Sequence, residues 1–263
     1  LYFSATDGTN GYELWKSDGT PNGTMMVKDI NNGSSSSDPS YLTAVGNTLY
    51  FQASDGTNGY ELWKSNGTAN GTMMVKDINS GSSSSDPSYL TAVGNTLYLR
   101  ANDGTNGTEL WKSDGTATGT VLMDINNGSD GSYPSEFTVI GNTLYFSADD
   151  GNNGRELWKS DGTANGTMMV KDIYNGIYGS SAYALTALGN TLYFGAYDET
   201  NGRELWKSDG TANGTMLVKD IYSGSRNSNP DSLTAVGNTL YFVSTTVGIS
   251  QFLIIDVWFY SPS

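Results

Sequence analysis

The 263-residue chain contains no cysteine and no histidine. The first absence excludes disulfides, thiolate metal sites and cysteine nucleophiles; the second removes the usual zinc ligand and the usual general base. Basic residues are scarce, 13 Lys and Arg against 27 Asp and Glu, giving a formal charge of -14 at pH 7. That balance repels a polyphosphate backbone, so neither nucleic-acid nor anionic-membrane partners are expected. No run of 18 apolar residues occurs, and membrane insertion is not expected. The closing stretch from Phe252 to Tyr260 is too short to cross a bilayer, is interrupted by Asp256, and reads as a buried strand. The chain opens at Leu1-Tyr2-Phe3 without an initiator methionine or signal peptide, which reads as a mature piece or fragment of a longer product.

What is present is a repeat. Glu-Leu-Trp-Lys-Ser-(Asp/Asn)-Gly-Thr occurs five times, with its indoles at Trp15, Trp63, Trp111, Trp158 and Trp206, so the steps are 48, 48, 47 and 48 residues. Residues 1–48 and 49–96 differ only at Ser4/Gln52, Thr6/Ser54, Asp18/Asn66, Pro21/Ala69 and Asn32/Ser80, as after a recent duplication. A period near 48 overrules counting domains by length and implies one repeat domain over residues 1–263 with a shared core. Charged residues make up only 15% of the chain, while Gly, Ser, Thr and Asn abound, a balance that suits short strands and many turns.

One unit shows the pattern. Tyr41 to Val45 and Thr48 to Ala53 are β-rich runs joined at Gly46-Asn47, and the two-residue period places Leu49, Phe51 and Ala53 on one face and Tyr50 and Gln52 on the other. Asp55-Gly-Thr-Asn-Gly59 is a loop, Tyr60 to Ser65 a third strand, and Asn66 to Gly71 another turn. Thr72 to Ile78 is the fourth strand, read as apolar on both faces at Met73, Met74 and Val75. A long Ser-rich link from Asn79 to Ser88 follows, once per unit.

Three tight links and one long link per four strands describe a propeller blade. The predicted fold is therefore all-β, a β-propeller of six four-stranded antiparallel blades at about 1–30, 41–78, 89–125, 136–173, 183–221 and 233–260, the last with a divergent third strand at Gln251–Tyr260. Five blades closed by a clasp with a C-terminal extension are the alternative, and a β-solenoid is the runner-up. The third unit lacks one residue in its fourth strand, Thr120-Val-Leu-Met-Asp-Ile125, which predicts flipped faces or a bulged partner and places that strand at the blade's outer rim.

The run Glu13-Leu14-Trp15-Lys16-Ser17-Asp18-Gly19-Thr20, then Asn22-Gly23-Thr24, resembles the ELWxxDGT repeat family, tandem repeats of bacterial secreted and cell-surface proteins. The motif recurs at Glu61, Glu109, Glu156 and Glu204, and the resemblance extends to about Phe242; from Val243 to Ser263 the chain departs from it. It implies an extracellular, propeller-like repeat protein without established catalytic activity.

Two features of the unit are candidate sites. Trp15, Trp63, Trp111, Trp158 and Trp206 offer stacking faces for a ligand such as a sugar, although packing between blades explains them more economically. The oxygen-rich loops offer hard ligands for calcium: Asp7, Asn10 and Glu13; Asp55, Asn58 and Glu61; Asp103, Asn106 and Glu109; Asp150, Asn153 and Glu156; Asp198, Asn201 and Glu204. Asx-turn chemistry accounts for the same Asp and Asn without an ion. N-glycosylation sequons at Asn22, Asn66, Asn70, Asn106, Asn165 and Asn213 read as turns, those with Asn-Gly as type I′ hairpin turns, and the Lys28-Asp29 and Lys76-Asp77 pairs as solvated edge charge. The expected function is a non-enzymatic extracellular or cell-surface module for multivalent binding or adhesion to a glycan or protein. The alternative is a filament or matrix subunit joined to copies of itself through open end blades. No carboxylate pair is singled out for catalysis.

Overall fold

A computed structural model of the chain describes residues 1–246 and 249–256. Among them there are only strands and turns, in six antiparallel meanders that form the blades of a β-propeller. Sheet one holds Tyr2–Ala5, Glu13–Lys16 and Met25–Lys28; sheet two Ser40–Val45, Thr48–Ser54, Tyr60–Ser65 and Met73–Lys76; sheet three Ser88–Val93, Thr96–Asn102, Thr108–Ser113 and Val121–Met123. Sheet four holds Ser135–Ile140, Thr143–Asp149, Arg155–Ser160 and Met168–Lys171; sheet five Tyr183–Leu188, Thr191–Asp198, Gly202–Ser208 and Met216–Lys219; sheet six Asp231–Val236, Thr239–Thr246 and Ile249–Asp256. Two compact units result, Leu1–Tyr133 with the first three sheets and Pro134–Ser263 with the last three. The divergent last strand begins at Ile249 rather than Gln251, and residues 257–260 of that expectation lie outside the described residues. Its Ile254 is 61% exposed, so the run is not the fully buried strand its composition suggests.

The two-residue period sorts each blade's core onto two faces. In the first unit Leu49, Phe51, Ala53 and Trp63 of sheet two pack on Leu14, Val27 and Ile30 of sheet one. The opposite face, with Val45, Tyr50, Leu62, Val75 and Ile78, packs on Leu90, Leu97, Leu99, Ala101 and Trp111 of sheet three. In the second unit Tyr145, Leu157 and Val170 meet Leu192, Phe194, Ala196 and Trp206 in the same way. Burying a large apolar side chain stabilises by roughly 1.5–3 kcal/mol, so these junctions dominate cohesion. The fourth strand contributes less than its sequence suggests: Val75 is buried, but Met73 is 44% exposed, because the outermost strand has a covered face on one side only.

The outer strand also reverses the expectation for the shortened third unit. Leu62 pairs with Lys76 and Trp63 with Met74, so Val75 is an extra residue in a bulge, and the same shift occurs at Leu14/Trp15, Leu157/Trp158 and Leu205/Trp206. In the third unit Leu110, Trp111 and Lys112 pair without a break with Met123, Leu122 and Val121. The missing residue removes the bulge rather than creating one, and buried Met123 takes the place of Val75.

Lysines join neighbouring sheets. Lys16 Nζ donates to Gly67 O at 2.8 Å, Lys64 to Gly115 O at 2.8 Å and Lys159 to Gly210 O at 2.9 Å. Lys28 donates to Thr72 O at 2.9 Å, Lys76 to Thr120 O at 2.9 Å and Lys171 to Thr215 O at 2.8 Å, each ammonium within 5.9 Å of the Trp63, Trp111 or Trp206 ring centroid respectively. The Lys28-Asp29 and Lys76-Asp77 pairs are therefore not solvated edge charge: their lysines are latches between sheets.

The turns that receive these latches correct another expectation. Positive φ falls on Gly67 (84°), whereas Gly71 of Asn70-Gly71 is not in that region, so this is not a type I′ Asn-Gly turn. Gly71 is needed for space, since a Cβ there would lie 1.9 Å from Asn66 Oδ1. Gly67 is doubly constrained, because a Cβ would also lie 2.4 Å from the Tyr2 hydroxyl of sheet one. Gly67→Ala is expected to lower unfolding stability by about 1–3 kcal/mol, read by urea denaturation, with Gly46→Ala in a turn open to solvent as the control for positive φ alone.

Candidate functional site

The repeated acid of the Glu-Leu-Trp motif is structural. Glu61 is fully buried; its Oε2 accepts Ile78 N at 2.8 Å and Ser85 Oγ at 2.6 Å, and its Oε1 accepts Ser85 N at 2.8 Å and Asn79 N at 3.4 Å. Glu13 binds Ile30 N, Asn31 N and Ser37 in the same way, and Glu109, Glu156 and Glu204 hold Ser132, Ser180 and Ser228. Each carboxylate pins the long link to the third strand. Burial pushes the Glu61 carboxyl up to about 7 against the pull of its donors, and raises Glu109, Glu156 and Glu204 for the same reason.

The loop acids stand apart from these glutamates. Asp7 Oδ1 accepts Thr9 N and Asn10 N, both at 2.8 Å, and Oδ2 accepts Asn10 Nδ2 at 2.8 Å. Asp55 with Asn58, Asp103 with Asn106, Asp150 with Asn153 and Asp198 with Asn201 repeat this Asx turn. The Asn10 and Thr9 donors hold the Asp7 carboxyl below its ordinary value; at Asp55, burial pushes up but the donors outweigh it. Asp and Asn of each loop are thus brought together, while Glu is engaged with the long link, and among the described residues no group of three or more Asp and Glu side chains is placed to hold a metal ion.

The tryptophans are part of the frame as well. Trp63, Trp111, Trp158 and Trp206 are buried and Trp15 is half-buried, so the four buried indoles do not present the open stacking face expected of a sugar platform. Their Nε1 atoms have no hydrogen-bond partner among the described residues, as has that of Trp15.

With this frame set aside, the differences between repeats stand out. Among the third strands of sheets two to five, Glu-Leu-Trp-Lys-Ser is invariant and only the preceding residue changes, through Tyr60, Thr108, Arg155 and Arg203. Beside it vary the start of the first strand (Ser40, Ser88, Ser135, Tyr183), the next residue (Tyr41, Tyr89, Glu136, Ala184) and one second-strand position (Gln52, Arg100, Ser147, Gly195). Each sheet fits its own set together. Ser40 Oγ donates to Gln52 Oε1 at 2.7 Å, and Tyr60 Oη to Asp38 Oδ2 at 3.1 Å. The Arg100 guanidinium lies 5.3 Å from the Tyr89 ring centroid. Arg155 Nη1 reaches Ser135 Oγ at 3.2 Å and Ser147 O at 3.0 Å. Arg203 covers Tyr183 at 5.5 Å, and a Cβ on Gly195 would collide with the Tyr183 ring.

The backbone at this position is unusual. The pairing of first and second strands shifts between Ser40 and Thr43, and Tyr41 takes φ 54°. Tyr89 (54°), Glu136 (62°), Ala184 (52°) and Ser232 (55°) do the same, a conformation that costs a non-glycine residue roughly 1–3 kcal/mol. Thr43 Oγ1 steadies the bulge, 3.0 Å from Tyr41 O, and reaches across to Leu90 O of sheet three at 3.1 Å. Tyr41 is thereby held outward, 54% exposed, and Tyr89 40% exposed. Sequence reasoning missed these residues; the readable signal was the short run of positions that change between otherwise near-identical repeats.

No family model matches the chain, and no curated protein matches it. Solved structures do. Prolyl oligopeptidase B from Galerina marginata is similar with a TM-score of 0.55 at 11% identity, over 97% of this chain and 40% of that one. A puromycin-hydrolyzing peptidase from Mycobacterium tuberculosis gives 0.53 at 12%, over 97% and 42%, and oligopeptidase B from Trypanosoma brucei 0.52 at 12%, over 98% and 38%. The likeness is one of fold, and the chain spans about two fifths of the length of these peptidases.

The carboxyls set the pH dependence of stability. Asp7 and Asp55, with lowered values, contribute stability above their unfolded value of 3.8 that is lost as pH falls; Glu61, raised from 4.5 to about 7, contributes stability at low pH that is lost as pH climbs through that window. Urea denaturation is expected to show greatest stability between the two windows, near pH 4–5, a decline toward pH 7 and a plateau above it. Glu61→Gln, which turns an amide donor toward backbone donors, is expected to cost about 2 kcal/mol or more and to reduce that decline.

Proposed function

We propose that the chain is a non-enzymatic module that binds a glycan or protein ligand through the first-strand bulges, at the cell surface or outside the cell. The supporting observation is the exposure of Tyr41 and Tyr89 on a strained backbone. An exposed phenol supplies an apolar face and a polar tip; Arg100 lies over the Tyr89 ring, and in sheet two Gln52 and Asp38 are held by Ser40 and Tyr60. Two similar weak sites in one unit gain from linkage when a ligand reaches both. Glu61 is not an acid–base group open to a substrate, since it is fully buried and saturated with donors. The extracellular setting rests on the motif resemblance, and the peptidase likeness brings no substrate with it.

A structural-subunit reading draws on a different observation. The third strand of sheet six, Ile249–Asp256, pairs on one side with Thr239–Thr246 and on its other side with no described strand. An open edge of that kind accepts a strand from another chain.

The binding reading is tested on arrays of glycans and cell-surface proteins with the wild-type chain and the Tyr41→Ala/Tyr89→Ala variant. Alanine is compatible with this backbone, as Ala184 occupies the same position at φ 52°. Retention of at least one ligand, weakened about tenfold or more in the variant at unchanged thermal stability, is the expected result. Retention unaffected by the variant contradicts the proposal.

A further inference from the structure

The junction between sheets four and five departs from the two junctions of the first unit by a matched pair of changes. In the first unit Asn31 Nδ2 donates to Ser36 O at 2.9 Å and Asn79 Nδ2 to Ser84 O at 3.0 Å. These amides lie against the glycine of the following sheet's loop, so close that a Cβ on Gly56 or Gly104 would come within 2.6 or 2.7 Å of Asn Oδ1. Between sheets four and five the corresponding residues are Tyr174 and Glu199, and the link carries Ile177 and Tyr178 where the second repeat has Ser82 and Ser83. Both halves of one contact have changed together, and the interlocking of amide and glycine is gone.

A cavity of about 350 Å³ lies there, at the small end of ligand-sized pockets, roughly 300–1,000 Å³. Lys171, Tyr174, Asn175, Glu199, Asn201 and Trp206 are among the residues that line it. Three phenols cluster at its side, Tyr174 lying 5.1 Å from Tyr197 edge-on and 6.1 Å from Tyr178 nearly parallel. Tyr178 and Ile177 are 74% and 72% exposed, an apolar shoulder beside a polar floor. Trp206 is only 6% exposed, and its indole N–H has no partner. All five repeat indoles share that enclosed, unpartnered N–H, so it belongs to the frame rather than to the cavity, which Trp206 borders as one of its lining residues.

The chemistry of the lining selects the ligand. The ammonium of Lys171, which lines the cavity and covers the Trp206 ring, repels a cationic ligand. Glu199 requires a donor and, with Asp198 beside it, repels carboxylates and phosphates. A neutral polyol with hydroxyls that both donate and accept, and an apolar ring face for tyrosine, meets all of these conditions. We propose that this cavity is a subsite for a neutral pyranose sugar. The inference rests on the glycan form of the reading above but places the sugar at a separate site, with its own residues.

Ligand-observed NMR and calorimetry with methyl glucoside, galactoside, mannoside and N-acetylglucosaminide, at up to about 50 mM, provide the test. Tyr174→Asn/Glu199→Gly is the informative variant, because it restores the pair that Asn79 and Gly104 form in the same frame. The expected result is millimolar binding of at least one pyranoside, about tenfold or more weaker in that variant and unchanged in Tyr41→Ala/Tyr89→Ala. Absence of binding to the wild type overturns the inference, as does binding that Tyr174→Asn/Glu199→Gly leaves intact. Loss in the Tyr41→Ala/Tyr89→Ala variant alone overturns it while supporting the bulge site.

Discussion

Each complete blade depends on one buried glutamate carboxyl group. The long link between the fourth strand and the next first strand has N–H groups without a sheet partner, and an unsatisfied buried donor costs about 1–3 kcal/mol. Glu61 accepts three of them and the Ser85 hydroxyl. The link it fixes leads directly into the first strand, so the acid also sets where Tyr89 and its bulge stand. Removing the carboxylate releases the link and the exposed edge together.

Cohesion between sheets is a second layer built on that one. Trp63 packs against Leu14, Val27 and Ile30, and Lys28 closes over the ring while bonding Thr72 O. Lys16 and Tyr2 meet at Gly67 from the same side. Nearly every residue of the repeated motif is consumed in this way, which explains why the motif is repeated so faithfully and why it offers so little to a ligand. The proposed recognition is accordingly assigned to positions outside the interlock: the bulged first-strand edge and the altered junction at Tyr174 and Glu199.

The fold was largely legible in the sequence because it rests on local signals. Period-two runs such as Leu49 to Ala53, the Gly46-Asn47 turn and one long link per four strands are enough to describe a blade. The site was not legible, for reasons that lie in long-range geometry. Glu61 looks like a loop ligand beside Asp55 and Asn58, and only the folded link, 17 to 24 residues away, shows its donors. Lys28 looks like edge charge until Thr72, 44 residues on, is placed beneath it. Positive φ at Tyr41 has no compositional signature, since glycine and asparagine are the usual occupants of that region. The shortened third unit misled in the other direction, because the bulge belongs to the complete repeats.

The central claim is that a constant frame carries stability while a separable set of positions carries recognition. Its most direct test is the unfolding free energy of Arg100→Gln/Thr108→Tyr, which gives sheet three the set found at Gln52 and Tyr60 in sheet two, where Ser40 and Asp38 already show the contacts it would make. The account predicts a stability within about 1 kcal/mol of wild type by urea denaturation. A loss of about 3 kcal/mol or more would show that these positions belong to the frame and contradict it.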